Sequence, residues 1–105
     1  MNKHDDDRRT LLEMSPGDFK VCKAVVVKQR SILGLHKHEH KDERFMLVQG
    51  LAHAVQIGEE TWLGIQAPYE WIVPRGVWHA FELEAGSILV GTATELYNPD
   101  DEIAA

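Results

Sequence analysis

The stretch HKHEHKDERFMLVQG, residues 36–50, decides how this chain is interpreted. It opens with histidines at every second position, His36, His38 and His40, and continues through Glu43 to Gly50. Side chains of a β-strand alternate between the two faces of a sheet, so the three imidazoles would share one face. Histidine-rich runs also occur in solvated loops, and the stretch by itself therefore only suggests a metal site.

A second informative stretch is PRGVWH, residues 74–79, in which a Pro-x-Gly turn leads directly into a strand that carries His79. Proline fixes the first dihedral angle of such a turn, and glycine permits the positive φ that reverses the chain. We therefore expect His79 to be held near the mouth of a barrel.

The rest of the chain alternates turn formers with segments rich in β-branched and aromatic residues, which is typical of short strands. No segment keeps an apolar period of 3.6 residues over three turns, so no long helix is expected. Seven or more short strands predict two packed sheets or a closed barrel. The predicted strands are 19–28, 44–49, 51–57, 61–66, 69–73, 78–83 and 87–96, and we expect residues 1–9 to form a flexible N-terminal arm and residues 10–105 a single barrel domain.

Composition excludes several classes of protein. With 105 residues, 44% hydrophobic and 27% charged, the chain is that of one ordinary globular domain. The net charge of −6, without a dense basic cluster, argues against a nucleic-acid partner. No apolar run approaches the roughly 20 residues of a membrane helix, and no signal peptide is recognisable, so we expect a cytoplasmic protein without a membrane partner. Cys22 is the only cysteine, which excludes an internal disulfide, and we expect it to be a small buried strand residue.

Together, the two stretches resemble the two sequence motifs of the cupin superfamily. The first motif reads His-x-His, three or four residues, Glu, six residues, Gly, and here four residues separate His38 from Glu43 and six separate Glu43 from Gly50. PRGVWH resembles the core of the second motif, Pro-x-Gly-x-x-His. The resemblance covers residues 34–83 and is to small single-domain, RmlC-like cupins with both metal-binding motifs. It implies an all-β double-stranded β-helix, the cupin or jelly-roll barrel.

The resemblance also implies that His36, His38, Glu43 and His79 bind one divalent transition metal ion. Neutral imidazoles and a carboxylate suit Mn, Fe, Co, Ni or Zn, and four protein ligands leave one or two positions for water or substrate. One carboxylate against a 2+ ion would leave the site net positive and favour anionic or chelating oxygen ligands. In an alternative register of the first motif, the ligands are His38, His40 and Glu43, with only two residues between His40 and Glu43. This register ranks below the first.

We predict that His53 and Tyr69 are catalytic residues. In a regular strand His53 shares a face with Leu51, Val55 and Ile57, so if that apolar face fills the barrel, its imidazole enters the cavity and serves as a base or orients a substrate.

Three functions remain open on these grounds. The favoured one is a metal-dependent isomerase or epimerase of a carbohydrate or sugar derivative, in which the ion polarises a carbonyl and a side chain moves the proton. Residues 88–103 are similar to the end of small cupins that act on sugars or sugar nucleotides. The alternatives are an Fe(II)-dependent dioxygenase and a cupin that binds a small molecule without chemistry. The expected partners are a small polar organic substrate and a second copy of the chain in a homodimer.

Overall fold

The computed structural model describes residues 1–104, and its regular structure is almost entirely short β-strands. The strands are β1 (Asn2–Asp5), β2 (Thr10–Glu13), β3 (Val21–Val26), β4 (Ser31–His38), β5 (Glu43–Gln49), β6 (Leu51–Ile57), β7 (Glu60–Gln66), β8 (Tyr69–Val73), β9 (His79–Leu83), β10 (Ile88–Ala93) and β11 (Glu102–Ala104). A single 3₁₀ turn, Pro99–Asp101, precedes β11. Within residues 1–104 no helix has the length and apolar character needed to cross a bilayer.

Two antiparallel sheets form the barrel. The four-stranded sheet has the order β3-β10-β5-β8, and the five-stranded sheet has the order β11-β4-β9-β6-β7. Their inner faces pack against each other, as in a jelly roll. The predicted all-β fold, a double-stranded β-helix, is confirmed.

Aromatic side chains fill the centre of the barrel. Phe45 from one sheet and Phe81 from the other have ring centroids 4.9 Å apart, and Trp71 lies 5.5 Å from Phe81. Leu47 and Leu83 are fully buried beside them. Burying each of these side chains contributes about 1.5–3 kcal/mol.

A β-bulge in β4 aims the histidine strand at the barrel interior. Gly34 and His36 pair with consecutive residues of β9, so Leu35 is an extra residue without a partner. Gly34 and Leu35 have positive φ values, 94° and 62°. Because of the extra residue, Leu33 and His36 both face inward, although strict alternation would place them on opposite faces. A Cβ atom on Gly34 would lie 2.8 Å from the carbonyl oxygen of His79, so the bulge also needs a residue without a side chain.

The N-terminal residues form a hairpin outside the barrel. Strand β1 pairs with β2 from Asn2–Glu13 to Asp5–Thr10, and every residue of β1 is exposed. After β2, the chain crosses the outer face of the four-stranded sheet, where the Thr92 hydroxyl lies 3.7 Å from Met14 Sδ. The flexibility predicted for residues 1–9 stays a prediction.

Cys22 lies in β3, as expected, but it is exposed rather than buried. The expectation was wrong because β3 is an edge strand whose alternate residues face outward, and Cys22 pairs with Thr92 on the outer face.

Candidate functional site

Three strand ends bring the predicted metal ligands together at one end of the barrel. His36 and His38 close β4, His79 opens the neighbouring β9, and Glu43 opens β5 in the facing sheet. The potential ligand nitrogens of the three histidines lie within 4.8 Å of one another. Glu43 Oε1 lies 3.4 Å from His38 Nε2 and 3.7 Å from His79 Nε2. We call these four residues the histidine cluster.

The spacing and the unsatisfied polar atoms of the histidine cluster fit a metal ion. With bonds of about 2.0–2.2 Å, two ligands of a tetrahedral ion lie about 3.4 Å apart, and neighbouring ligands of an octahedral ion about 3.0 Å apart. The two distances from Glu43 Oε1 are close to these values. Glu43 Oε1 is also buried without a hydrogen-bond partner, an arrangement that costs about 1–3 kcal/mol or more unless something binds the oxygen.

Burial also sets the protonation of the cluster. Desolvation lowers the pKa of His38 and of His79 to about 4, so both imidazoles are neutral at pH 7. Desolvation raises the pKa of the Glu43 carboxyl, in part offset by the positive charge of Lys41. His79 Nδ1 lies 3.4 Å from the carbonyl oxygen of Val77, which leaves Nε2 directed at Glu43. Neutral imidazoles are the form that binds metal ions.

Two carboxylates from the C-terminal residues stand behind the histidines, and the sequence analysis missed both. Glu102 Oε1 lies 2.8 Å from His36 Nδ1, and Asp101 Oδ2 lies 3.9 Å from His38 Nδ1. Strand β11 has only three residues and no apolar pattern, so its pairing with β4 could not be read from the sequence. The available signal was the run of acidic residues from Asp100 to Glu102 after Pro99.

These carboxylates change the expected charge of the site. An ion of charge 2+ with Glu43 alone would give a net charge of +1, which is the basis for expecting anionic ligands. Asp101 and Glu102 add two negative charges beside the same histidines.

A small cavity adjoins the cluster inside the barrel. Its volume is about 140 Å³, and its lining combines polar groups of the cluster with apolar core residues and one lysine, Lys23. Lys23 borders this cavity from the edge strand β3, where it pairs with Gly91 of β10 and is itself exposed. A second lysine, Lys41, is only 6% exposed. Continued alternation from His36 would direct Lys41 away from the barrel, but β4 ends at His38, so the alternation does not extend to it.

The structure places His40 outside the cluster. Its side chain is 80% exposed, and its nearest charged partner is Asp101 at 4.0 Å. The geometry therefore brings together the residues of the favoured register and not those of the alternative register.

The two predicted catalytic residues lie towards the other end of the barrel. His53 Nε2 is 2.8 Å from Glu84 Oε2, just beyond the end of β9 that is opposite to His79. A register shift between Ala52 and Ala54 breaks the alternation of β6, so the facing predicted for His53 was wrong. Ala52 and Val55 are both fully buried although they are three residues apart, as the shift requires.

Tyr69 begins β8, opposite Leu47, whereas Val73 at the far end of β8 pairs with Glu43. Its ring lies 4.8 Å from that of Trp71. The structure does not bring Tyr69 or His53 to the histidine cluster, and their catalytic roles stay predictions.

A scan of protein-family models finds none that matches this chain, and no curated protein sequence matches it. Solved structures do match over nearly the whole chain. A 3,4-ketoisomerase from Helicobacter canadensis is 16% identical, with a TM-score of 0.82 and 99% of this chain covering 86% of that one. QdtA, a sugar 3,4-ketoisomerase from Thermoanaerobacterium thermosaccharolyticum in complex with TDP, is 18% identical, with a TM-score of 0.81 and coverage of 99% and 83%.

A third match is ChmJ, a 3'-monoepimerase from Streptomyces bikiniensis in complex with dTDP-quinovose. It is 18% identical, with a TM-score of 0.84 and coverage of 98% of this chain and 65% of that one. At these identities the likeness shows a shared fold, the cupin or jelly-roll barrel.

Proposed function

We propose that this protein is a metal-dependent isomerase or epimerase of a sugar derivative that carries a carbonyl group. The observation that carries the proposal is the convergence of three imidazoles and a buried carboxylate beside a cavity. The names of the matched structures, two 3,4-ketoisomerases and a 3'-monoepimerase, support this reaction class over others.

The proposed roles follow from the geometry. His36, His38, Glu43 and His79 would hold a divalent ion of the first transition series, which supplies Lewis acidity to a bound carbonyl oxygen. The apolar wall of the cavity excludes water and strengthens electrostatic interactions inside it. Lys23, the cationic residue of the cavity lining, would stabilise the substrate oxygen that gains negative charge when the neighbouring carbon loses its proton.

The size of the cavity limits what reacts there. Sites for whole drug-sized ligands enclose about 300–1,000 Å³, whereas this cavity has about 140 Å³. It suits the reacting part of one sugar ring, and any nucleotide attached to the sugar would lie outside the barrel.

The test has two stages. Elemental analysis of protein purified without a histidine tag should find one transition metal ion per chain. The metal-loaded protein is then incubated under nitrogen in D₂O with free ketoses, with their phosphates, and with the TDP-4-keto-6-deoxyglucose found in a QdtA complex. We expect deuterium at the carbon beside the carbonyl in NMR spectra, because that carbon loses and regains a proton.

Matched variants and a second assay separate the alternatives. Glu43→Gln should abolish the deuterium exchange, whereas Glu60→Gln, on the exposed start of β7, should leave it unchanged. Exchange on none of the substrates would contradict the proposal. Oxygen uptake with Fe(II) and a thiol, diketone or catechol would instead support the dioxygenase predicted as an alternative, and ligand-induced stabilisation without turnover would support a binding protein.

A further inference from the structure

The C-terminal residues 98–104, which we call the C-terminal strap, close the barrel edge beside the histidine cluster. Asn98 caps the 3₁₀ turn, since its side chain accepts a hydrogen bond of 3.0 Å from the Asp100 N–H. The turn delivers β11 to the edge of the five-stranded sheet, where Glu102 pairs with His38. The strap is therefore attached to the same strand that carries two of the histidines.

The carboxylates of the strap lie on the side of these histidines that faces away from Glu43. Glu102 Oε1 is 2.8 Å from His36 Nδ1. Asp101 is only 6% exposed, and its Oδ1 accepts a hydrogen bond of 2.9 Å from the Glu39 N–H. Its Oδ2 lies 3.9 Å from His38 Nδ1, a buried nitrogen without a hydrogen-bond partner. Each strap carboxylate therefore lies beside an Nδ1 atom of one of these histidines.

We propose that Asp101 and Glu102 are positioning residues for the ion site. Glu102 holds His36 with Nδ1 protonated through the 2.8 Å contact. The charge of Asp101, 3.9 Å from His38 Nδ1 and too far for a hydrogen bond, favours the same tautomer of His38 electrostatically. In both histidines Nε2 is then free to face the ion. The inference rests on the proposed metal site.

The physical effect is the one expected of acceptors behind ligand histidines. A carboxylate that accepts the Nδ1–H fixes the tautomer and makes Nε2 a stronger donor to a metal ion. By reciprocity, an ion bound to Nε2 strengthens the contact with the strap, so ion binding and docking of the strap stabilise each other.

The first test needs no metal ion. In metal-free protein at pH 8, the ¹⁵N chemical shifts of the imidazoles report which nitrogen carries the proton. We expect the Nδ1–H form for His36 in the wild type and a shift towards the Nε2–H form in Glu102→Leu. Asp100→Asn, a neighbouring exposed acid in the same turn, should change nothing. A wild-type His36 in the Nε2–H form, or an unchanged tautomer in Glu102→Leu, would overturn the inference.

The second test measures Zn²⁺ affinity by competition with a chelating dye. Asp101→Asn and Glu102→Leu should each bind Zn²⁺ about ten- to a hundred-fold more weakly than the wild type, and Asp100→Asn should bind it equally well. Equal affinities in all four proteins would overturn the inference while the metal site stands. A wild type that binds no Zn²⁺, Mn²⁺ or Fe²⁺ would remove the metal site and the ion-binding part of this inference, and the tautomer measurement would still decide whether the strap positions the histidines.

Discussion

Gly34 and Leu35 have backbone conformations with positive φ, and these conformations set the direction of the His36 side chain. Leu35 is exposed, so burial of its own side chain does not explain its φ of 62°. A left-handed conformation costs an ordinary residue about 1–2 kcal/mol, and such costs concentrate at functional sites. Here the strained bulge is what turns the histidine pair towards the barrel interior.

Replacing Gly34 should therefore cost more than replacing a glycine of similar backbone conformation elsewhere. Gly64 has a φ of 61° and open space where a Cβ would lie. We expect Gly64→Ala to lower the free energy of unfolding by about 1 kcal/mol through backbone strain alone. Gly34→Ala should lower it by about 2 kcal/mol or more and weaken Zn²⁺ binding as well, because the added methyl group meets the His79 carbonyl. Urea denaturation of both variants measures the difference, and equal losses would show that the contact with His79 does not matter.

Buried histidines should also make the stability of the metal-free protein depend on pH. The pKa of His38 and of His79 falls from an ordinary 6.5 to about 4 on folding. Between these values the unfolded chain binds more protons than the folded one, so stability falls as the pH is lowered from about 6.5 to 4. Over this pH range each imidazole changes the free energy of unfolding by on the order of 3 kcal/mol. Burial raises the pKa of Glu43, so above the ordinary pKa of a glutamate the folded chain binds more protons than the unfolded one. This group therefore favours the folded state as the pH falls, and it offsets part of the loss caused by the histidines.

Urea denaturation between pH 7 and pH 4.5 measures this dependence. His79→Asn should flatten the profile, whereas His4→Asn, which removes an exposed histidine from β1, should not. A wild-type profile without a slope over this range would contradict buried, neutral imidazoles in the metal-free protein.

At the scale of strands, the sequence predicted the elements better than their facing. The predicted strands 51–57 and 69–73 have the observed bounds, because strong alternation and flanking turn residues define them. The facing of His53 was wrong because a bulge moves a side chain to the other face without leaving a clear signal in residue types. The cluster of residues 36, 38, 43 and 79 was predicted from motif spacing, whereas the approach of Asp101 and Glu102 depends on a long-range pairing that no local pattern encodes.

The N-terminal hairpin should contribute little to barrel stability. Strand β1 is fully exposed, and an isolated two-stranded hairpin is marginal in water. We expect the amides of residues 2–5 to exchange with solvent far faster than those of β5, in agreement with the predicted flexible arm. Deletion of residues 1–9 should lower the free energy of unfolding by about 1 kcal/mol, since it removes one ion pair between the Met1 amino group and Glu70, and Glu70 keeps its hydrogen bond from the Ser15 N–H. Protection of residues 2–5 as strong as that of β5 would contradict this expectation.

At the scale of the whole molecule, apolar side chains are exposed along one edge of the four-stranded sheet. Val26 on the edge strand β3 is 63% exposed, and Phe19, just before that strand, is 57% exposed. An edge strand with exposed apolar side chains and unpaired backbone groups is typical of contact surfaces. We therefore place the predicted homodimer interface at the β3 edge.

Sedimentation velocity tests this placement. The wild type should sediment as a dimer, and Val26→Lys should shift it towards the monomer by at least tenfold in the dissociation constant while the barrel still melts cooperatively. Leu63→Lys, a comparable change on β7 of the other sheet, should remain dimeric. A monomeric wild type would remove the homodimer, and dissociation by Leu63→Lys alone would move the interface to the other sheet.

The aromatic centre formed by Phe45, Trp71 and Phe81 affects how small molecules can enter and leave the barrel. These rings and the leucines beside them fill the middle of the barrel. For the proposed isomerase, a substrate would therefore enter with its reactive end first, and the product would leave by the same opening. Bulky groups attached far from the reacting carbon would meet only the rim, so the protein should tolerate variety there while remaining strict about the end that enters.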